Sequence, residues 1–144
     1  MLFRSDANPE ELRGLHILLV EDNPFNQMVA VDTLTDLIKE INIDVADNGK
    51  IAIDMIGKKD YDIVLMDIQM PEMDGFEATQ KIRTMLDKPK RNTPIMAMTA
   101  NVTNEEVEKC FESGMDQYIS KPFAQQDLLN KIAQLTIRKK QVSA

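Results

Sequence analysis

Five polar side chains capable of joint chemistry each follow or close a short apolar segment of the chain. Glu21 and Asp22 follow HILLV, Asp67 follows IVLM, Thr99 closes IMAMT, and Lys121 follows QYIS. Carboxylates gathered in one place repel one another unless a cation lies among them. Mg²⁺ prefers oxygen ligands, and proteins typically hold it with one or two carboxylates together with a phosphate. The lysine and the hydroxyl suit the oxygens of a phosphoryl group, so these residue types predict Mg²⁺-assisted phosphoryl transfer.

The elements that must position these residues are predicted from hydrophobic patterning. Five apolar segments are predicted as strands: His16–Val20, Ile43–Ala46, Ile63–Met66, Ile95–Thr99 and Gln117–Ser120. Stretches of helical spacing separate them, beginning near Pro24 and after Gly49, Gly75, Asn104 and Phe123. Regular alternation of strand and helix favours an α/β fold with parallel strands and right-handed crossovers. Ligands of such sheets bind beyond the carboxyl ends of the strands, which is where all the polar side chains above are expected.

Asp67 is the predicted nucleophile of the set. It stands alone after a strongly apolar strand, and Pro71 and Gly75 shape the irregular segment that follows it. The adjacent pair Glu21–Asp22 is better suited to metal binding, one residue directly and the other through water. Taken singly, each of these side chains is more often a helix cap, a turn residue or a solvated charge. Their coincidence at one end of a single predicted sheet favours the joint chemical role.

Composition places the chain among compact, soluble domains. It has 144 residues, of which 43% are hydrophobic and 28% charged. The core is predicted over residues 14–136, after a polar lead-in at 1–13 and before a tail at 137–144. A net charge of −7 argues against a nucleic-acid surface. No apolar run approaches the roughly 20 residues of a membrane span, so we expect no membrane contact and a cytoplasmic location.

The single histidine and the single cysteine exclude other kinds of site. His16 alone cannot form a multi-histidine zinc site, and Cys110 has no partner for a disulfide within the chain. A small buried thiol is the expected role of Cys110.

Four blocks of the sequence resemble a known family. HILLVEDN, VLMDIQMPEMDGFEAT, IMAMTAN and GMDQYISKPF resemble, in order and spacing, the receiver domain of response regulators in two-component signalling. Within this family, the sequence blocks most resemble those of the receivers attached to hybrid sensor histidine kinases. The resemblance implies a flavodoxin-like, doubly wound (βα)5 fold with a five-stranded parallel sheet in the order 2-1-3-4-5. It also implies a stoichiometric phosphoacceptor, not a turnover enzyme. The donor would be a phosphohistidine on a histidine kinase dimerisation domain or on a histidine phosphotransfer protein.

The resemblance implies a role for each residue of the site. Asp67 matches the phosphoacceptor, and Lys121 matches the lysine that pairs with the phosphoryl group. Glu21 and Asp22 match the acidic pair that holds Mg²⁺, with the backbone carbonyl of Gln69 as a further ligand. The Lys121–Pro122 peptide bond matches one that is usually cis in the family.

Further matching positions concern switching and the lifetime of the phosphoryl group. Thr99 and Tyr118 match the switch pair, in which the aromatic ring turns inward when the hydroxyl is drawn to the phosphoryl group. Gln69 and Asn101 occupy positions that tune hydrolysis of the acyl phosphate. Both are neutral amides that cannot act as a general base, so we expect no fast self-dephosphorylation.

The start of the first predicted helix is the expected docking surface for the partner. Pro24, Phe25 and Met28 are the candidates, with core packing of Phe25 or Met28 as an equal alternative. Two other functions remain open from the sequence. A haloacid-dehalogenase-like phosphatase would need an aspartate two residues after the nucleophile, where this chain has Gln69. The second open function is a module that docks to a partner protein without being phosphorylated. A DNA-binding regulator is not expected, because no residues remain in the sequence for an output domain.

Overall fold

The computed structural model describes residues 6–143, and their side chains as far as residue 137. Strands and helices alternate as β1 (His16–Val20), α1 (Pro24–Leu37), β2 (Asn42–Ala46), α2 (Gly49–Lys58), β3 (Ile63–Asp67), α3 (Gly75–Met85), β4 (Ile95–Thr99), α4 (Asn104–Ser113), β5 (Gln117–Ser120) and α5 (Gln125–Ser143). All five strands are parallel and lie in the order β2-β1-β3-β4-β5. The flavodoxin-like fold class and the strand order are therefore confirmed, with β2 and β3 each extending one residue beyond the predicted bounds.

The two faces of the sheet carry separate hydrophobic clusters because alternate side chains of a strand point to opposite faces. On one face, Ile17, Leu19 and Leu65 pack with residues of α1 and α5. On the other, Leu18 and Met66 pack with residues of α2, α3 and α4. Every residue of β3 and β4 is buried, which explains why their sequences are continuously apolar instead of alternating.

Side-chain caps start four of the helices. Each capping side chain accepts a hydrogen bond from a backbone N–H of the first turn, which would otherwise lack a partner. The caps are Asn23 for α1, Asn48 for α2, Asp74 for α3 and Thr103 for α4. Helix α4 ends at Ser113 and is capped by Gly114, whose φ of 107° lies in the left-handed region that favours glycine. These local signals fix the residue at which each of the four helices begins.

Part of the segment before Gly14 packs against the domain. A 3-10 helix covers Pro9–Leu12, and the side chain of Leu12 is 1% exposed. The backbone N–H of Ala7 donates to Asn130 Oδ1 of α5 over 2.8 Å. Ala7 and Leu12 are isolated among polar residues, so they give no periodic signal, yet both reach the core beside α5.

Helix α5 continues to Ser143, across most of the range 137–144 that was predicted as a tail. Among the helices of residues 6–143, none is long and apolar enough to cross a membrane.

Arg83 of α3 joins three segments at the end of the sheet opposite the carboxyl ends of the strands. Its Nε donates to the carbonyl of Gly114 over 2.9 Å, and its Nη1 donates to the carbonyls of Arg91 and Thr93, each over 2.7 Å. Its Nη2 pairs with Asp116 Oδ2 at 2.9 Å, and the side chain of Arg83 is only 19% exposed. One guanidinium therefore satisfies carbonyl groups that would otherwise have to be solvated.

We expect Arg83→Met to lower the free energy of unfolding by about 2–4 kcal/mol, because several partly buried acceptors lose their donor at once. Urea denaturation measures this change. Arg13→Met is the control, since Arg13 forms only exposed ion pairs with Glu10 and Glu40. The control should leave the denaturation midpoint nearly unchanged. Equal midpoints for the two variants would contradict the structural role of Arg83.

Candidate functional site

An acidic cluster lies at the carboxyl ends of β1 and β3. Carboxylate oxygens of Glu21, Asp22 and Asp67 all lie within 4.8 Å of one another. The two strands are neighbours, and Val20 pairs with Met66 directly before these residues, so strand pairing alone brings the acids together. Asp22 is exposed, whereas Glu21 and Asp67 are buried. Asp22 is not needed as the cap of α1, because Asn23 fills that role.

Lys121 carries the cation nearest to this cluster among the described residues. Its Nζ lies 2.9 Å from Glu21 Oε1 and 3.5 Å from Asp67 Oδ1. It follows β5, and the Lys121–Pro122 bond is cis, as the resemblance implies. Backbone N–H groups add to the charge balance: Asn23 donates to Glu21 Oε2 over 3.2 Å, and Gln69 donates to Asp67 Oδ1 over 3.3 Å.

The two buried carboxyl groups have pKa values displaced in opposite directions. Burial, together with the negative charge of Glu21, raises the pKa of Asp67 to about 6 despite the opposing charge of Lys121. Burial also acts to raise the pKa of Glu21, but the hydrogen bonds from Lys121 and from the Asn23 N–H outweigh it and hold that pKa below its usual range. Of these two carboxylates, Asp67 is therefore the one whose charge the protein compensates less.

The donor set fits a hard divalent cation. One ammonium group cannot neutralise three carboxylates, and the exposed Asp22 leaves the cluster open to solvent. Oxygen ligands of this number and charge, with room for water, are what Mg²⁺ requires. Glu21, Asp22 and Asp67 are thus the residues that would hold it. Gln69 is exposed beside Asp67, and its carbonyl stays a predicted ligand.

Gly75 allows α3 to begin close to the cluster. A Cβ atom at this position would overlap the backbone carbonyl oxygen of Asp67. The Gly75 N–H donates to the carbonyl of Ile68 over 2.9 Å, which closes the loop after β3. This close approach needs a residue without a side chain, and it fixes the backbone on which Asp67 is presented.

Thr99 ends β4 with its hydroxyl engaged by the loop and by α4. Its Oγ1 accepts from the Asn101 N–H over 3.0 Å, and it lies 3.0 Å from Glu106 Oε2 and 3.3 Å from the Asn101 carbonyl as a donor. The side chain is 4% exposed. The hydroxyl is therefore turned towards α4, and Asn101 contributes through its backbone.

Tyr118 of β5 lies half-buried between α4 and α5. Its ring meets Phe111 edge-to-face with centroids 6.4 Å apart, and Lys131 Nζ lies 4.5 Å from the ring centroid. Lys131 Nζ also donates to the Tyr118 carbonyl over 2.7 Å. This position between two helices is compatible with the predicted switch role, which stays a prediction.

The predicted docking residues lie at the start of α1. Pro24 opens the helix, and Phe25 and Met28 are 65% and 53% exposed, so neither packs in the core. Phe25 also lines a groove of about 380 Å³ that extends to Lys121 and Phe123. The groove therefore connects the apolar surface around Phe25 to the ammonium group of Lys121.

Two residues that contact the site were not predicted from the sequence. Gln27 Nε2 donates to the Glu21 carbonyl over 2.7 Å and to Asp47 Oδ1 over 2.8 Å, which ties α1 to the ends of β1 and β2. A lone glutamine on a helix gives no signal of that role. Glu106 contacts Thr99, and its only signal is the spacing Thr103-x-x-Glu106, which is typical of a helix cap.

Comparison with known sequences finds a matching family and relatives that are much longer than this chain. Residues 17–133 match the response regulator receiver domain. The chain is 40% identical over 148 residues to probable histidine kinase 1 of Oryza sativa subsp. indica, in a match covering 83% of this chain and 15% of that protein. The chain thus spans about one seventh of the length of such relatives.

The similar solved structures are also receiver domains. The receiver domain of the sensor histidine kinase PA1611 from Pseudomonas aeruginosa PAO1, solved with a magnesium ion in its active-site cleft, is 36% identical with a TM-score of 0.76, over 85% of this chain and 98% of that one. A second similar structure is the co-crystal structure of the histidine phosphotransfer protein Ypd1 and the receiver domain of Ssk1 from Saccharomyces cerevisiae. The matching chain is 27% identical in sequence to this chain, with a TM-score of 0.76, and the match covers 87% of this chain and 90% of that one.

Proposed function

This chain belongs to the response regulator receiver domain family, and we propose that it accepts a phosphoryl group from a phosphohistidine onto Asp67 with the help of Mg²⁺. The observation that carries the proposal is the acidic cluster itself. A buried aspartate whose pKa is raised to about 6 lies beside two further carboxylates and one lysine, at the end of a rigid strand. The three carboxylates repel one another, and this repulsion costs stability unless a further cation neutralises it.

In the proposed transfer, a carboxylate oxygen of Asp67 attacks the phosphorus of the phosphohistidine. The P–N bond breaks, its electron pair returns to the imidazole, and an acyl phosphate forms on Asp67. Mg²⁺ held by Glu21, Asp22 and Asp67 would supply charge neutralisation at the phosphoryl oxygens. The attacking carboxyl must be ionised, which a pKa of about 6 permits at neutral pH.

Lys121 and Thr99 have complementary roles in this proposal. The Lys121 ammonium lies 3.5 Å from Asp67 Oδ1, which supports its proposed pairing with an oxygen of the incoming group. Thr99 ends the neighbouring strand, and Asp67 pairs with Met98 directly before it. Its hydroxyl would donate to a second phosphoryl oxygen after turning away from α4.

The residues around Asp67 favour storage of the phosphoryl group over turnover. Gln69 lies exposed two residues after Asp67 and carries no group that transfers protons. Hydrolysis would then rely on water oriented by neutral amides. The proposed product is a stoichiometric acyl phosphate, not a stream of inorganic phosphate.

The proposed partner is a histidine kinase dimerisation domain or a histidine phosphotransfer protein. Support comes from the relative of Oryza sativa and from the yeast receiver solved with Ypd1. The groove between Phe25 and Phe123 would receive an apolar helix face, and Lys121 at its end would lead the phosphohistidine towards Asp67.

Incubation with acetyl phosphate and Mg²⁺ tests the proposed function. We expect incorporation to approach one phosphoryl group per chain and to be lost when EDTA removes the metal. Release of many phosphates per chain without a stable phosphoprotein would instead support the phosphatase alternative. Absence of any Mg²⁺-dependent incorporation would support a module that docks without phosphorylation.

We expect Phe25→Ala to slow phosphorylation by a phosphohistidine protein about tenfold, because a large apolar anchor leaves the docking surface. Phosphorylation by acetyl phosphate should stay at the wild-type rate, because this small donor needs no docking surface and the Phe25 side chain carries no group that takes part in the transfer. Met85→Ala is the matched control, since Met85 is equally exposed, at 65%, but lies on α3. A Phe25→Ala variant slowed equally with both donors would contradict the docking role.

A further inference from the structure

Glu106 stands in a capping-box pattern but does not bond as a capping-box glutamate. Thr103 caps α4, and its side chain accepts from the Glu106 N–H over 3.1 Å. In a capping box the glutamate side chain reaches back to the N–H of the capping residue. Here the Thr103 N–H donates to the Asn101 carbonyl instead, over 3.1 Å. The Glu106 carboxylate is therefore free for another partner.

That partner is the hydroxyl of Thr99. Glu106 Oε2 lies 3.0 Å from Thr99 Oγ1, across seven residues of sequence and from helix to strand end. The Asn101 N–H donates to the same oxygen, so Thr99 Oγ1 must use its own proton on Glu106 or on the nearby Asn101 carbonyl. An ionised carboxylate is the stronger acceptor of the two.

A hydroxyl has a single proton, which sets up a competition. In the proposed function the Thr99 hydroxyl donates to a phosphoryl oxygen on Asp67. It cannot do so while it donates to Glu106. A phosphoryl oxygen is itself anionic, so the exchange is between two charged acceptors, and a small difference in free energy decides which arrangement is populated.

We propose that Glu106 is a positioning residue that holds the Thr99 hydroxyl against α4 until an acyl phosphate on Asp67 competes for its proton. This inference rests on the proposed function. It identifies Glu106 as the group that competes with the phosphoryl oxygen for the hydrogen bond from Thr99. Glu106 lies in the first turn of α4, so turning the Thr99 hydroxyl towards the phosphoryl group also breaks the hydrogen bond that joins this turn to the end of β4. The strength of that one hydrogen bond then sets how readily the domain responds to phosphorylation.

Beryllium fluoride with Mg²⁺, which mimics a phosphoryl group on a carboxylate, is the probe. Titration calorimetry of the whole chain measures its affinity. We expect Glu106→Ala to bind the probe roughly fivefold more tightly than wild type, the size of one net hydrogen bond. Glu106→Gln, whose neutral amide oxygen is a weaker acceptor, should give an intermediate gain and serves if the alanine variant does not fold. Glu105→Ala is the control, because it removes an exposed charge from the same turn of α4.

A double-mutant cycle with Thr99→Val separates this role from a merely structural one. Without the Thr99 hydroxyl, Glu106→Ala should no longer change the affinity. A gain that persists in the Thr99→Val background, or that Glu105→Ala reproduces, would overturn the proposal, as would unchanged affinity in both Glu106 variants. Wild-type chain that binds no beryllium fluoride would count against the proposed function of Asp67 and, with it, this inference. Tight wild-type binding without a Glu106 effect would count against Glu106 alone.

Discussion

Replacing Asp67 by asparagine is expected to reduce phosphoryl incorporation from acetyl phosphate by at least about a hundredfold, because it replaces the attacking carboxylate with a neutral amide, which is a much poorer nucleophile. The substitution keeps the size of the side chain, and Mg²⁺ still has Glu21 and Asp22. Incorporation per chain is measured with labelled donor. Asp54→Asn is the control, since Asp54 lies on α2 in an exposed ion pair with Lys58. Labelling of the Asp67→Asn variant at the wild-type level would place the acceptor elsewhere.

The same variant should be more stable than wild type when Mg²⁺ is absent. The folded-state pKa of Asp67 is about 6, above its ordinary value of 3.8, so stability linked to its proton is complete at low pH and is lost as the pH rises through about 6. At pH 7.5 the wild-type domain carries a poorly compensated buried charge, which asparagine removes. We expect a gain of about 1–3 kcal/mol in the free energy of unfolding at pH 7.5, shrinking towards pH 5. Urea denaturation that shows a pH-independent difference would contradict this origin.

Replacing Lys121 by glutamine is expected to slow phosphorylation about a hundredfold, the usual cost of losing one preorganised charge at a transferring group. The ammonium pairs with Glu21 and lies 3.5 Å from Asp67, so its loss leaves the carboxylates facing one another. The pKa of Asp67 should rise further, because the charge of Lys121 acts to lower it. The rate is measured as initial incorporation from acetyl phosphate at pH 7.5.

Mg²⁺ affinity separates this effect from loss of the site. Lys121→Gln should bind Mg²⁺ at least as tightly as wild type, because a competing cation has been removed from the cluster. Lys58→Gln is the control, since Lys58 is exposed on α2 and pairs with Asp54 instead of a carboxylate of the acidic cluster. A variant that keeps the wild-type rate would show that the Lys121 ammonium only balances Glu21 and takes no part in transfer.

Much of this fold could be predicted because its signals are local. Buried parallel strands are continuously apolar, as in Ile63–Met66, and the helix starts near Pro24 and Gly49 follow capping asparagines. Strand order was not readable from that pattern and came from the family resemblance. Ala7 and Leu12 were missed as core residues because two isolated apolar side chains produce no period, although both pack beside α5.

The part of the site that lies at the ends of the strands could be predicted from the sequence. Asp67 and Glu21 meet because neighbouring parallel strands end together, which needs no knowledge of side-chain packing. The partner of Thr99 could not be predicted in this way. Thr103 and Glu106 have the spacing of a local cap, and only the three-dimensional path of the loop turns that carboxylate towards the hydroxyl of Thr99.

Phe25 illustrates a case in which the sequence left two interpretations open. An aromatic residue in the first turn of a helix can pack in the core or lie on a docking surface, and the sequence favoured neither for Phe25. Its 65% exposure excludes core packing, and its place in the groove beside Lys121 and Phe123 supports docking. Exposure of a large apolar side chain is decided by how the helix sits on the sheet, which local periodicity does not report.

Identification of the phosphorylated residue is the most direct test of the central claim. Sodium borohydride reduces an acyl phosphate on aspartate to the alcohol, so a phosphorylated Asp67 would be converted to homoserine. Peptide mass spectrometry after treatment with acetyl phosphate, Mg²⁺ and borohydride locates that change. We predict homoserine at position 67 and at no other aspartate, in an amount that matches the incorporated phosphoryl group and falls to background without Mg²⁺. Homoserine at another position, or incorporation without any homoserine at position 67, would contradict the assignment of Asp67 as the acceptor.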